Sequence, residues 1–219
     1  MAAPPRGEVQ LVADDRHFQG VVLNGILKAK TSVAIATADF KAMLVPTGNR
    51  CRAKSIVELF RDQARKGVEV RLLHSGVPSS PALHELRRQL PDQITIRRCP
   101  RLHAKAVIID CQSMYLGSAN LTGAGLGAKA PGRRNFEIGV WTQAPALIDA
   151  VLERFNTIWE GHACRSCRRH NICPVPLEEP RLGERRMIRA RSASEGQVAQ
   201  RPHPIRTAKG THKGARHLP

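Results

Sequence analysis

His103-Ala104-Lys105-Ala106-Val107-Ile108-Ile109-Asp110, followed after six residues by Gly117-Ser118-Ala119-Asn120, is the stretch on which the reading of this chain turns. The apolar run 106–109 reads as a buried strand. Side chains alternate along a strand, so His103 and Lys105 project from one face. Asp110 lies seven residues from His103, on the opposite face or beyond the strand end, and is placed away from any substrate. A neutral imidazole is a competent nucleophile near neutral pH. Lys105 supplies a fixed cation for phosphate oxygens, and Ser118 and Asn120 supply neutral donors. Donors set in advance where charge develops lower a barrier. Nothing in this set demands a divalent cation, so no cofactor is expected for catalysis.

Outward from this stretch, residues 8–160 alternate between strand-like and helix-like runs. Residues 9–13, 32–40, 68–74, 94–99, 104–110, 114–116 and 135–142 read as strands, and 18–30, 55–66, 82–90 and 145–160 as helices. Gly67 is placed to end the second helix, and Ser79 and Ser80 before Pro81 mark the start of the third. Such alternation implies an α/β layered domain around a largely buried sheet. The last strands follow one another without long helices between them, so the sheet should be mixed.

The quoted residues match the pattern HxKxxxxD, six residues, GSxN. With each residue type at roughly 5% of positions, a chance match is on the order of a few in a million. The stretch resembles the phospholipase D superfamily, and the resemblance runs from about residue 10 to 160. It implies that His103 attacks phosphorus to form a phosphohistidine. Lys105 and Asn120 would bind the phosphoryl oxygens with help from Ser118, and Asp110 would support the local structure. Glu137, in Asn135-Phe136-Glu137, resembles the acid that orients the histidine in these enzymes; read on its own it is a charge on an edge strand. The family reaction uses two histidines, one to attack and one to protonate the leaving oxygen. The motif occurs once here, so a homodimer with the site on its two-fold axis is expected. His74 and His84 lack the motif context and read as core or surface histidines.

Charge narrows the substrate. The chain carries 35 Lys and Arg against 18 Asp and Glu, a net +17, which favours polyanionic partners. Residues 180–219 hold ten Lys and Arg against two Glu and few large apolar side chains, so 176–219 reads as a basic, disordered tail. No apolar run approaches the ~18 residues that span a membrane, and residues 1–7 carry no secretory h-region, so a cytoplasmic protein is expected. One motif, no membrane segment and a basic tail together look most like the short, dimeric bacterial-type nucleases of the superfamily, and DNA or RNA cleavage is the first expectation. The alternatives are a phospholipase D acting on headgroups at an anionic surface and a nucleic-acid-binding subunit of a larger system.

Six cysteines complete the inventory. Cys99 and Cys111 flank the motif strand and read as small buried hydrophobes. Cys164, Cys167, His170 and Cys173, in segment 161–175, form a candidate structural zinc set, with His162 as an alternative ligand and an iron–sulfur site as an alternative use. The bland alternative is a reduced Cys-rich loop. Arg165, Arg168 and Arg169, interleaved with these ligands, suit phosphate contact.

Overall fold

The computed structural model describes residues 9–46, 53–86, 90–169 and 171–173. Segment 176–219 and His170 lie outside them.

The described residues form nine strands and three α-helices. They are β1 (Val9–Ala13), β2 (Ser32–Thr37), β3 (Leu44–Val45), β4 (Lys54–Ser55), α1 (Ile56–Ala64), β5 (Glu69–His74), α2 (Ser80–Leu86), β6 (Ile94–Arg98), β7 (Ala106–Ile109), β8 (Ser113–Gly117), β9 (Ile138–Thr142) and α3 (Pro145–Trp159). Seven strands make one mixed sheet in the order β1-β9-β8-β7-β2-β5-β6. β2, β5 and β6 run parallel, whereas β7, β8, β9 and β1 alternate in direction. β3 and β4 form a two-residue antiparallel pair that the sequence reading did not anticipate.

Alternation sorts the central strands between two cores. Val33, Ile35, Leu72, Val107 and Ile109 join Phe40, Ile56 and Phe60 on one face of the sheet. Ala34, Ala36, Leu73, Ala106 and Ile108 face Ile148, Phe155 and Trp159 of α3 on the other. Arg71 of β5 ties α3 down, with its guanidinium 5.4 Å from the Phe155 ring centre and an Nη1 bond of 3.0 Å to Asn156 Oδ1. Helix α1 starts on a capping box: Glu58 N donates to Ser55 Oγ (3.1 Å), and Ser55 N donates to Glu58 Oε2 (2.8 Å). Such a cap stabilises a helix by about 1 kcal/mol. Gly67, at φ +88°, ends the turn after it.

Four expectations need correction. The single helix at 18–30 is instead a wide π turn, Phe18–Leu23, and a 3₁₀ turn, Ile26–Lys28. The break falls at Gly25, where a Cβ would lie 2.5 Å from the Val21 carbonyl oxygen and 2.6 Å from Ile109 Cδ1. Backbone presses against the sheet there, and a regular helix has no room. The strand placed at 32–40 stops at Thr37, because the next two N–H groups are taken by the Asn120 side chain. The strand placed at 104–110 narrows to Ala106–Ile109, so His103 and Lys105 precede it in an extended approach. Cys111 is exposed and Cys99 half-exposed. Asp110 and Cys111 are the central residues of a turn closed by Gln112 N to the Ile109 carbonyl (3.0 Å), both at φ +53°. Turn residues face solvent, which is why Cys111 is not a core residue.

Candidate active site

The start of β7 and the end of β8 lie side by side, Ala106 opposite Leu116, at the C-terminal end of β2. Gly117 N donates to the Lys105 carbonyl (3.1 Å), which binds the two motif halves together. His103 is exposed and Lys105 half-buried. Lys105 Nζ is 2.9 Å from the His103 carbonyl oxygen, 3.2 Å from its Nε2 and 3.4 Å from its Nδ1. An ammonium can only donate, so a ring nitrogen bonded to it is an unprotonated acceptor, the form a nucleophile needs.

Asn120 is fixed from behind. Its Oδ1 accepts from Ala38 N (3.1 Å) and Asp39 N (3.1 Å). Two backbone donors settle which end of the amide is oxygen, and the Nδ2 group is left to donate elsewhere. Leu121 N donates to Thr37 Oγ1 (2.9 Å), so the turn is tied to β2 at consecutive residues.

Ser118 Oγ donates to Glu137 Oε2 and accepts from Ile138 N (3.0 Å). Asn135 Nδ2 donates to Glu137 Oε1 (3.0 Å). The structure therefore joins Glu137 to Ser118 and Asn135; among the described residues it makes no hydrogen bond to His103. Asp110 stands at the other end of β7. Its carboxylate accepts from Lys30 N (3.0 Å), Thr31 N (2.7 Å), Thr31 Oγ1 (2.9 Å) and Ser32 N (3.0 Å), which secures the start of β2. Burial pushes this carboxyl up, but the bonds from Ser32, Thr31 and Lys30 outweigh it and hold it below the usual aspartate range.

A second layer was not legible in the sequence. Ala119 N donates to Tyr115 Oη (3.2 Å), and Tyr115 Oη is 2.9 Å from His17 Nε2. His17 Nδ1 is 2.8 Å from the Asp14 carbonyl, so Nδ1 carries the proton and Nε2 accepts from the phenol. Asp14 in turn exchanges bonds with Glu137: Glu137 N to Asp14 Oδ1 (3.1 Å) and Asp14 N to the Glu137 carbonyl (3.0 Å). Burial, opposed by the Ala119 N–H and aided by Glu137, pushes the Tyr115 hydroxyl up to about 12. The Tyr115 ring demands glycine on both sides. A Cβ on Gly139 would lie 2.4 Å from Tyr115 Cε2, and one on Gly117 would lie 2.4 Å from its Oη. Asp14, His17 and Gly139 share no fixed spacing with the motif, so no pattern could have found them.

The remaining candidates stand apart. His74 is wholly buried, with Nδ1 2.8 Å from the Gly76 carbonyl and Nε2 without a partner among the described residues; burial first, and Arg98 after it, lower its pKa against the effect of the Gly76 bond. His84 is exposed on α2. Cys164, Cys167 and Cys173 follow α3, and Arg169 Nη1 reaches the Pro100 carbonyl (3.3 Å), which brings the segment beside Cys99. The Cys164 thiol is pushed up by burial and by its neighbours Cys99, Cys173 and Cys167. The Cys167 thiol is lowered, by the Arg169 backbone bond first and by Arg101 next. Among the described residues no three His, Cys, Asp or Glu side chains converge closely enough to hold a metal ion. His170, the fourth candidate ligand, lies outside the described residues. Arg165, Arg168 and Arg169 are exposed.

The family model described as cardiolipin synthase, PLD-like domain, matches residues 22–159. The chain belongs to the phospholipase D-like family. The matched span holds every motif residue and ends before the cysteine-rich segment. Among solved structures, this phospholipase D-like chain is similar to Nuc, a phospholipase D family member from Salmonella typhimurium. The TM-score is 0.52 at 23% identity, covering 70% of this chain and 94% of that one. NucT from Helicobacter pylori gives a TM-score of 0.52 at 18% identity, covering 70% and 97%. At such identities the likeness is one of fold. No curated protein sequence matches the chain. No described helix is long and apolar enough to cross a membrane.

Proposed function

We propose that this chain is a metal-independent phosphodiesterase that works through a phosphohistidine and takes nucleic acid as its substrate. The observation that carries the reading is the meeting of Lys105 Nζ with the His103 ring, beside an Asn120 amide whose oxygen is already tied to Ala38 and Asp39. Lys105 and the Asn120 Nδ2 group receive the non-bridging phosphate oxygens, where charge spreads in the transition state. His103 attacks phosphorus; the P–N bond forms as the P–O bond to the leaving alcohol breaks, and that alcohol takes a proton from a second imidazolium. The second ring, now neutral, removes a proton from water as the water oxygen attacks phosphorus and the P–N bond breaks. One chain holds one motif, so the second imidazole is the His103 of another copy, and the working unit is a homodimer. Ser118 steadies the turn with Glu137.

The net charge of +17 supports a polyanionic substrate. The deciding experiment compares wild type with His103→Ala on single- and double-stranded DNA, RNA and choline-bearing vesicles in excess EDTA. Cleavage of nucleic acid by wild type alone is the expected result. Headgroup release without nucleic-acid cleavage would move the protein to phospholipid hydrolysis. Salt-dependent binding without turnover of any substrate would make it a binding subunit.

A further inference from the structure

Of the chain's five phenylalanines, Phe40, Phe60 and Phe155 are buried and Phe18 packs against the core, while Phe136 is 96% exposed. Among the described residues the next most exposed large apolar side chain, Leu44, reaches 63%. This exposure belongs to a fixed backbone. Asn135 N donates to the Ala124 carbonyl (3.1 Å) and Glu137 N to Asp14 Oδ1 (3.1 Å), so the chain is held immediately before and after the ring. Arg134 is held as well, by the Lys129 carbonyl (2.5 Å) and by Asp15 (3.8 Å). An aromatic ring kept in water by a secured backbone is a preformed contact surface rather than a loose one.

Its position is specific. Asn135 and Glu137, on either side, are bonded to each other, and Glu137 is bonded to Ser118 of the motif turn. The ring is therefore one residue from the site acid. The stretch 121–135 contains no Asp or Glu and carries Lys129, Arg133 and Arg134; Lys129 and Arg133 are exposed. A single ring beside cations and next to a phosphate site is the pattern of a base-stacking platform: the phosphate goes to the donors and an adjoining base to the ring. A membrane surface is the weaker fit, since the segment beside the ring, residues 129–134, carries three cations and no large apolar side chain.

We propose that Phe136 stacks an unpaired base next to the scissile phosphate, so that the site selects single-stranded DNA or RNA over duplex. This rests on the nuclease reading. A base in a duplex already stacks on its neighbours and cannot reach the ring without being splayed out. Asn135 sits beside the ring with an amide able to meet a base edge, and the cations of 129–134 follow the backbone.

The test uses the full-length His103→Ala protein, which binds without cutting. It is titrated with a fluorescent single-stranded oligonucleotide carrying 2-aminopurine and with the matching duplex. Phe136→Ala is expected to weaken single-strand binding by about tenfold or more and to abolish the quenching of 2-aminopurine. Duplex binding and the slope of affinity against salt should stay as they were, because no cation has been removed. Phe136→Trp should restore the quenching, and Phe136→Leu should not. Unchanged single-strand affinity in Phe136→Ala, or full restoration by Phe136→Leu, overturns the platform and leaves the nuclease reading standing. A shift of Phe136→Ala from dimer to monomer in sedimentation also overturns it, and assigns the ring to the second copy instead. If the protein with Phe136 intact binds no oligonucleotide at all, the nuclease reading falls and the platform with it.

Discussion

The motif turn and the cysteine-rich segment after α3 both carry reactive side chains, yet they are built in opposite ways. Around the turn, each motif side chain except His103 and Lys105 is tied to a different part of the chain: Asp110 to residues 30–32, Asn120 to 38 and 39, Ser118 to Glu137. Its two reactive groups are left facing each other and solvent. In the segment after α3, Cys164, Cys167 and Cys173 neighbour Cys99 without converging, and the bond from Arg169 to Pro100 is a long one. Chemistry on phosphorus needs groups placed before the substrate arrives. A set of thiols needs no such placement until something binds them. Prior placement thus separates a built site from a collection of suitable residues.

The largest expected effect that would break this comparison is at His103. His103→Ala should lower phosphodiester cleavage by a factor of about a thousand or more. The circular dichroism spectrum and Tm should stay at wild-type values, since the side chain is exposed. A variant with more than a tenth of the wild-type rate would remove the nucleophile from the mechanism.

Next is the support beneath the turn. Gly139→Ala drives a methyl group into the Tyr115 ring at 2.4 Å, and overpacking of this kind costs about 1–3 kcal/mol. Chemical denaturation should show that loss together with reduced activity, because Tyr115 carries Ala119 of the turn. Normal stability and normal activity would mean that the ring moves aside freely and positions nothing.

Asp110 gives a smaller, pH-dependent effect. Its folded carboxyl titrates below the usual range, against about 3.9 in an unfolded chain. A depressed carboxylate stabilises the fold fully above the unfolded value and loses that contribution as pH falls through the folded value. Asp110→Asn should therefore lower stability by about 1–2 kcal/mol at pH 7 and approach wild type in acid, as the pH falls through the lowered folded value. Equal losses at both pH values would assign the effect to packing instead.

The smallest expected effect is on the other side of the comparison. Cys167→Ser should cleave within about twofold of the wild-type rate, since the segment lies outside the matched span 22–159. A larger loss would tie the segment to the active site. Metal analysis of the same pair sharpens the point. The ligand spacing proposes a structural zinc on Cys164, Cys167, Cys173 and His170, which predicts one equivalent in wild type and less in the variant. No zinc in either would dismiss it.

The two regions were also unequally legible. His103, Lys105, Ser118 and Asn120 could be placed together from sequence because strand geometry converts their spacing directly into position. The break at Gly25 could not be foreseen, because its cause is Ile109, some eighty residues later in the chain. The same holds for the support of the turn: His17, Tyr115 and Gly139 meet only through sheet pairing. Cys111 is exposed because it sits in a turn that takes positive φ at two residues, which its apolar neighbours in the sequence do not signal. Glu137 was found, but its bonds to Ser118 and Asn135 follow from the loop before β9 and not from any spacing.

β2 carries one last consequence. Its first residue is secured by Asp110 and the residues just past its end by Asn120, so the motif grips the same strand at both ends. The four residues between Lys105 and Asp110 are therefore a gauge, cut to the length of a neighbour that lies seventy positions earlier. Two residues added to β7 would keep every side chain on its proper face, yet carry Asp110 about 7 Å past the amides it serves. The interval in the motif is the length over which another strand is paired, written a second time.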